Sequence, residues 1–508
     1  MKGTKRIASL LLILAMVFSM AATAFAGADT AHTITITGDK ENHVYAAYQV
    51  FKGDISGEKL TNIQWGSGVN GDELLAELKT VSAYAACTSA EDVAGVVKDL
   101  GDNSEALDAF AKIAGKHLQG DGVRSTETAS PYKINVTGDG YYLIKDTNVA
   151  TSGSNDAATK FILKVVGDVQ VQSKSEIPTI NKIIVEADEQ QGLGTAQDVG
   201  SNVPFKLTSK VPAMDGYESY QFVITDTLSA GLTFNDDVAV TIGGAEYNSF
   251  TVNKSGQTFT ITFNNFISQK ANAGKEIVIT YSAKLNEGAL STKEETNTVY
   301  LEYSNNPYDT TSTGKTPDHI VYVYDFDIKI DKYAAGESGN VNLAGAKFVL
   351  YKEVNGNKMY YYYNENTKAV EWKTLDEDGL KAALAADPKT VTEVTTDANG
   401  AASFRGVDAG AYKLHETAAP EGYNLLKKDV AVNITATYNA DGTLAASSAV
   451  STTEVPQYTQ TVGIENKSGW QLPSTGDIGT TIFYIAGAIL VVGAGILLVT
   501  RKRLNKES

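Results

Sequence analysis

The sequence predicts an all-β chain of tandem β-sandwiches, the first carrying a helical insertion, ending in a C-terminal transmembrane helix. Three observations support this. Short runs with two-residue alternation, bounded by turn residues, recur through most of the 508 positions. Glycine (45) far outnumbers proline (10), and tyrosine (26) is the commonest aromatic, which suits strands. Helical periodicity is concentrated in one stretch of the first segment, and the C-terminal run is apolar over the length of a bilayer span.

The first domain is expected over residues 27–173. It opens with the strand-like HTITITG and HVYAAYQVF, then turns helical. DELLAELKTVSAY offers Asp72 as a cap. EALDAFAKIAGKHL sets Leu107, Phe110, Ala111, Ala114 and Leu118 on one helical face. Strands return at KINVTGDGYYLIKD and KFILKVVGDVQVQ. The second domain, 174–317, is a series of short alternating strands from TINKIIVEA to NTVYLEYSN, a sandwich of immunoglobulin size. The third, 318–470, runs in the same style from HIVYVYDFDIKIDKY to TQTVGIEN. The single cysteine, Cys87, cannot make an internal disulfide and reads as a buried small side chain in the helical insertion.

The ends point outside the cell. Lys2, Lys5 and Arg6 precede an apolar stretch closed by ATAFA, the pattern of a secretory signal cut after Ala26. An apolar run from about Ile478 to Thr500 is long enough to cross a bilayer. Arg501, Lys502, Arg503 and Lys506 follow it and are expected to stay cytoplasmic. Lys plus Arg total 43 against 60 Asp plus Glu, which argues against nucleic acid and suits a soluble surface protein. The five histidines show no metal spacing and no pocket signature stands out, so neither metal, cofactor nor enzyme is expected.

Alternation places polar residues on core faces. In FDIKIDK, Lys332 shares a face with Phe326, Ile328 and Ile330. Glu416 shares one with Tyr412 and Leu414, and Asn466 with Val462 and Ile464. The second domain repeats the set. Lys182 lies between Ile180 and Ile184, Asp226 follows Phe222 and Ile224, and Asn297 leads Val299, Leu301 and Tyr303. The order is lysine in the first strand, acid in the middle, asparagine in the last strand. Burial lowers a lysine pKa and raises an acid's, so both can be neutral. A neutral amine attacking an asparagine carboxamide, with the acid polarising the carbonyl and moving protons, expels ammonia and leaves an isopeptide bond. The alternative is a structural ion pair, with faces shifted by a bulge.

The chain resembles the backbone (major) subunits of sortase-assembled Gram-positive pili. LPSTG, with the apolar run and basic tail behind it, resembles the LPXTG sorting signal of the 472–508 region. KLHETAAPEGY resembles the E-box of Cna B-type domains, and FDIKIDKYAAGESGNVNLAGAKFVLY their first two strands. ITDTLSAGLTF with NTVYLEYSNNP resembles the isopeptide-forming fimbrial domain. The resemblance implies tandem immunoglobulin-like domains of Cna A/B type. It implies a Lys182–Asn297 bond promoted by Asp226 and a Lys332–Asn466 bond promoted by Glu416. It also implies that a sortase recognises Leu472, Pro473, Ser474, Thr475 and Gly476, cuts after Thr475, and hands the threonine to a lysine of the next subunit. VQVQSKS aligns Lys174 with the acceptor of the pilin motif, although Gln172 and Ser173 replace the usual Tyr and Pro. In the first domain Asp146 and Gly38 stand where the acid and lysine would be, so no bond is expected there and that domain should be the most labile.

The implied function is a structural pilin subunit, secreted, polymerised head to tail and anchored to peptidoglycan. Its implied partners are pilin-specific and housekeeping sortases, identical subunits, minor pilins and host surface ligands. The alternative is a wall-anchored adhesin that never polymerises.

Overall fold

The structure, a computed structural model, describes residues 31–37, 43–56, 59–100, 105–127, 129–147, 157, 160–165, 167–172, 177–185, 191–214, 216–307, 309–447, 458–468 and 479–504. The signal peptide, Gly38, Lys174 and the 472–476 motif lie outside the described residues. The chain divides into two compact units. One comprises 1–325 with 365–369 and 436–446, the other 326–364, 370–435 and 447–508.

The first unit begins with a small sandwich. Ala31–Thr37 lies between antiparallel Tyr132–Thr137 and parallel Val169–Gln172. The second sheet centres on Tyr45–Ser56 and Gly140–Asp146, with Lys59–Trp65 and Lys160–Val165 at its edges. Ile34, Ile36, Ala47, Ile134, Val136 and Ile144 fill the space between the sheets. Three helices, Gly71–Leu78, Ala90–Asp99 and Glu105–Lys116, pack on the other side of the second sheet through Val50, Phe51 and Leu143. Cys87 is buried in that second core.

Two local expectations are corrected here. Asn70, not Asp72, caps the first helix, its side chain accepting from the Glu73 amide. Asp72 sits in the first turn, where a carboxylate suits the helix dipole. In the third helix Phe110, Ile113 and Ala114 are buried, while Leu107, Ala111 and Leu118 are only partly covered. The buried stripe follows i, i+3, i+4 from Phe110, and the helix ends at Lys116, before Leu118.

Next in the first unit comes a sandwich of two seven-stranded sheets. One runs through Asn181–Val185, Asn202–Lys210, Glu276–Leu285 and Ala239–Ile242. The other runs through His319–Tyr324, Glu294–Ser304, Phe222–Leu228, Thr258–Phe263 and Phe250–Ser255. Strict alternation marks the long strands: Val203, Phe205, Leu207 and Ser209 are buried between exposed or half-buried neighbours. The strand His319–Tyr324, grouped with the third segment in the sequence, pairs with Glu294–Ser304 instead. The asparagine strand is therefore not the last of its sandwich.

The second unit holds another sandwich. Phe326–Gly336 pairs antiparallel with Ala401–Val407 and parallel with Thr459–Glu465. The second sheet runs Ala369–Thr374, Asn357–Asn364, Lys347–Val354, Gly410–Ala418, Val430–Ile434. A helix absent from the sequence expectation, Glu377–Ala385, buries Leu380 and Ala383 beside Val349 and Tyr351. Asp376 caps it by accepting from the Gly379 amide.

Gly479–Leu504 is a 26-residue helix, and its described side chains, residues 484–496, are mostly exposed. Among the described residues, no helix is long and apolar enough to cross a membrane.

Candidate functional site: two buried lysine–acid–asparagine clusters

In the first cluster the lysine comes from one sheet and its partners from the other. Lys182 sits on Asn181–Val185, opposite Leu207 of the neighbouring strand. Asp226 and Asn297 lie on adjacent antiparallel strands, where Asp226 faces Val299 and Leu228 faces Asn297. They are diagonal neighbours, within side-chain reach. All three are fully buried. The Lys182 amine donates to both Asp226 oxygens at 3.0 and 2.9 Å and to Asn297 Oδ1. Its Nζ lies 5.5 Å from the Phe205 ring centre and 5.7 Å from that of Tyr281.

A fourth residue completes this cluster. Tyr281 donates its hydroxyl to Asp226 Oδ2 at 2.7 Å and accepts from Asn297 Nδ2 at 2.8 Å. Sequence reasoning missed it, although the signal was present. Ile277, Ile279, Tyr281, Ala283 and Leu285 alternate inward, and a tyrosine hydroxyl turned into a core needs a partner.

The second cluster is wired differently. Lys332 on Phe326–Gly336 lies opposite Ile464 of the parallel neighbour, and Asn466 follows that strand. Lysine and asparagine thus share a sheet. Glu416 projects from the facing sheet, where it lies opposite Phe348. Lys332 donates to Asn466 Oδ1 at 2.6 Å and to the Ile464 carbonyl at 3.0 Å. Glu416 Oε1 accepts from Asn466 Nδ2 at 3.0 Å but stands 3.9 Å from the amine. Its other oxygen accepts from the Leu426 amide at 2.8 Å. Gly400 backs the lysine with φ +73°, and a Cβ there would meet the Lys332 carbonyl oxygen at 2.2 Å, so glycine is required.

Burial sets the electrostatics. Desolvation pushes Lys182 and Lys332 down to about 8, against the pull of Asp226 and Glu416 respectively. The same burial raises the Asp226 carboxyl, opposed by Lys182 and by the hydrogen bonds from Tyr281 and Lys182. It also drives the Tyr281 phenol well above its ordinary value. Each cluster therefore presents an easily neutralised amine on a carboxamide oxygen, with an acid in reach. That arrangement suits nucleophilic attack on the asparagine carbon, with proton transfer to the departing nitrogen.

The first sandwich differs. Asp146 is fully buried on Gly140–Asp146, where the ring Nδ1 of His43 bonds it at 2.6 Å. Two further buried acids engage other groups. Glu295 accepts from the Gly231 amide at 2.8 Å and from the Ser229 and Thr292 hydroxyls. Asp325 pairs with Lys293 at 2.6 Å. His415 is 42% exposed and pairs with Asp429 at 2.7 Å, away from the Glu416 cluster.

Three family descriptions match the chain. Residues 199–307 match the Gram-positive pilin backbone subunit 2, Cna-B-like domain, and 326–446 a prealbumin-like fold domain. Residues 464–506 match the LPXTG cell wall anchor motif. The trypsin-resistant surface T6 protein of Streptococcus pyogenes serotype M6 is 24% identical over 414 residues, covering 65% of this chain and 70% of that one. The fimbrial subunit type 1 of Actinomyces viscosus is 33% identical over 105 residues, 21% of this chain and 17% of that one. Among solved structures, the full-length major pilin SpaD from Corynebacterium diphtheriae aligns with a TM-score of 0.49 at 16% identity. That alignment covers 89% of this chain and 100% of SpaD.

Proposed function

From the premise that this chain is a Gram-positive backbone pilin subunit with an LPXTG cell-wall anchor, we propose that two internal isopeptide bonds stiffen each subunit. Lys182 joins Asn297 with Asp226 as the promoting acid, and Lys332 joins Asn466 with Glu416. The observation that carries this reading is the pair of buried amines, each hydrogen-bonded to its asparagine carboxamide oxygen. Each bond would form once, by folding, so the subunit is structural rather than an enzyme.

As an LPXTG protein, the subunit is a sortase substrate and belongs on the cell surface in a polymer of subunits. Cleavage falls between Thr475 and Gly476, the carboxyl of Thr475 passes to Lys174 of the next subunit, and a final transfer attaches the polymer to peptidoglycan. By its sequence the run from about 478 to 500 would span the membrane until cleavage, a reading that rests on the apolar run and not on the described part of the helix, and the 1–26 signal would direct export. The domain limits 27–173, 174–317 and 318–470 belong to the same reading, with the last two meeting nearer residue 325 on the pairing of His319–Tyr324.

Intact mass of the secreted protein tests the internal bonds. The expected result is a deficit of two ammonia molecules, one lost in Asp226→Ala and the other in Glu416→Ala. A mass equal to the encoded sequence overturns the reading. Lys174→Ala tests assembly separately: the covalent ladder of multimers should disappear, whereas a single wall-linked species in the unaltered protein favours a non-polymerising adhesin.

A further inference from the structure

We propose that Tyr281 is a catalytic residue of the first cluster, relaying a proton from Asp226 to the departing nitrogen of Asn297. The inference rests on the isopeptide reading above. Its ground is geometric. Asp226 holds the amine with both oxygens, at 3.0 and 2.9 Å, and no hydrogen bond joins it to the Asn297 nitrogen among the described residues. The Tyr281 hydroxyl bridges that gap, 2.7 Å from Asp226 Oδ2 and 2.8 Å from Asn297 Nδ2. In the second cluster Glu416 touches the asparagine nitrogen itself at 3.0 Å, and among the described residues no tyrosine hydroxyl intervenes.

The step balances without any added reagent. Lys182 passes a proton to Asp226, leaving a neutral amine and a neutral acid. The amine lone pair forms the Nζ–Cγ bond, and the carbonyl electrons move onto Oδ1. The tetrahedral centre then collapses, re-forming the carbonyl and breaking the Cγ–Nδ2 bond. As the nitrogen leaves, it takes the Tyr281 phenol proton, and Tyr281 is replenished by the proton held on Asp226. The attacking nitrogen gives a second proton to the carboxylate that Asp226 has become, and keeps the third as the amide hydrogen. One ammonia departs, Tyr281 ends as it began, and Asp226 ends protonated: of the three protons on Nζ one reaches Nδ2, one stays on Asp226 and one is the amide hydrogen, a neutral acid being what burial favours. A phenol held well above its ordinary pKa stays protonated, so it is always loaded to donate.

The test uses the full chain, with each bond followed by peptide mapping as the protein ages after synthesis. Tyr281→Phe keeps the ring that packs on Phe205 and removes only the hydroxyl. The Lys182–Asn297 bond should form at least about 100-fold more slowly, the range of a lost acid–base group. The Lys332–Asn466 bond should be complete in the same molecules. Phe205→Leu alters the packing beside Lys182 but leaves every hydrogen bond of the cluster, and should retain near-normal bond formation. A normal rate in Tyr281→Phe overturns the proposal, as does equal slowing in both variants. Should Tyr281→Phe not fold, 3-fluorotyrosine incorporation replaces it. The more acidic phenol should change the rate of the first bond and leave the second unchanged, and an unchanged first bond overturns the proposal. Absence of the Lys182–Asn297 bond from the unaltered chain is a different result, because it removes the isopeptide reading itself.

Discussion

The two clusters use the same residue types and opposite connections. In the first, the acid sits on the lysine and reaches the asparagine nitrogen only through Tyr281. In the second, the acid sits on the asparagine nitrogen and stands 3.9 Å from the lysine. The cause is the sheet that supplies each residue. Where acid and asparagine share a sheet, they are diagonal neighbours and the lysine arrives from across the core. Where lysine and asparagine share a sheet, the longer glutamate reaches across instead. The proposed bonds therefore differ mechanically: the first would join two sheets, and the second two parallel strands of one sheet.

The sharpest way to break this comparison is to remove each acid in turn. Asp226→Ala and Glu416→Ala should each abolish one cross-link and leave the other complete, read by intact mass. Loss of both bonds from a single substitution would show that the two clusters do not act independently.

Stability should fall next. Blocking either bond with Asn297→Ala or Asn466→Ala reopens loops whose ends are 115 and 134 residues apart. By analogy with disulfides each bond should contribute about 5 kcal/mol, nearly equal because the cost varies only with the logarithm of loop length. Denaturant unfolding of the two variants measures it. A much larger loss for one would mean that sheet-to-sheet and strand-to-strand links stabilise differently.

A smaller effect is a pH dependence. In Asn466→Ala the Lys332 amine stays free, with a folded pKa of about 8 against an ordinary 10.5. Between those values the unfolded chain binds more protons than the folded one. Stability of the second unit should thus rise as pH increases from about 8 to 10.5, by at most about 3 kcal/mol, with the burial penalty fully present below that window. A wild type carrying the proposed Lys332–Asn466 bond would have no such amine and should lack the slope. Unfolding free energies across the window compare the two.

The smallest change is Glu416→Asp, which withdraws the carboxyl by about one C–C bond, ~1.5 Å. Its contact with the Asn466 nitrogen is lost, and the second bond should form roughly tenfold more slowly or worse, by mass against time. Pairing it with Glu416→Gln, which keeps the reach but not the proton, separates distance from acidity.

Much of this was legible in strand alternation. Lys182, Asp226 and Asn297, like Lys332, Glu416 and Asn466, occupy core-facing positions by the two-residue rule, and all six are buried. The rule says which face a residue takes but not which strand stands beside it. It therefore missed that His319–Tyr324 pairs with Glu294–Ser304, and it could not name Tyr281, 55 residues from Asp226, as the fourth member of the cluster. Nor did it find His43 as the partner of Asp146 or the Glu377–Ala385 helix, whose Asp376 cap and acidic first turn were present in the sequence.

The sequence by itself determined the mostly-β character, the inward turn of six polar residues and the sorting motif with its apolar run, because backbone geometry and composition act locally. Only the tertiary structure decided which atoms meet. Whether the acid holds the amine or the carboxamide depends on which sheet carries each strand. That is a matter of long-range pairing, which no local pattern encodes.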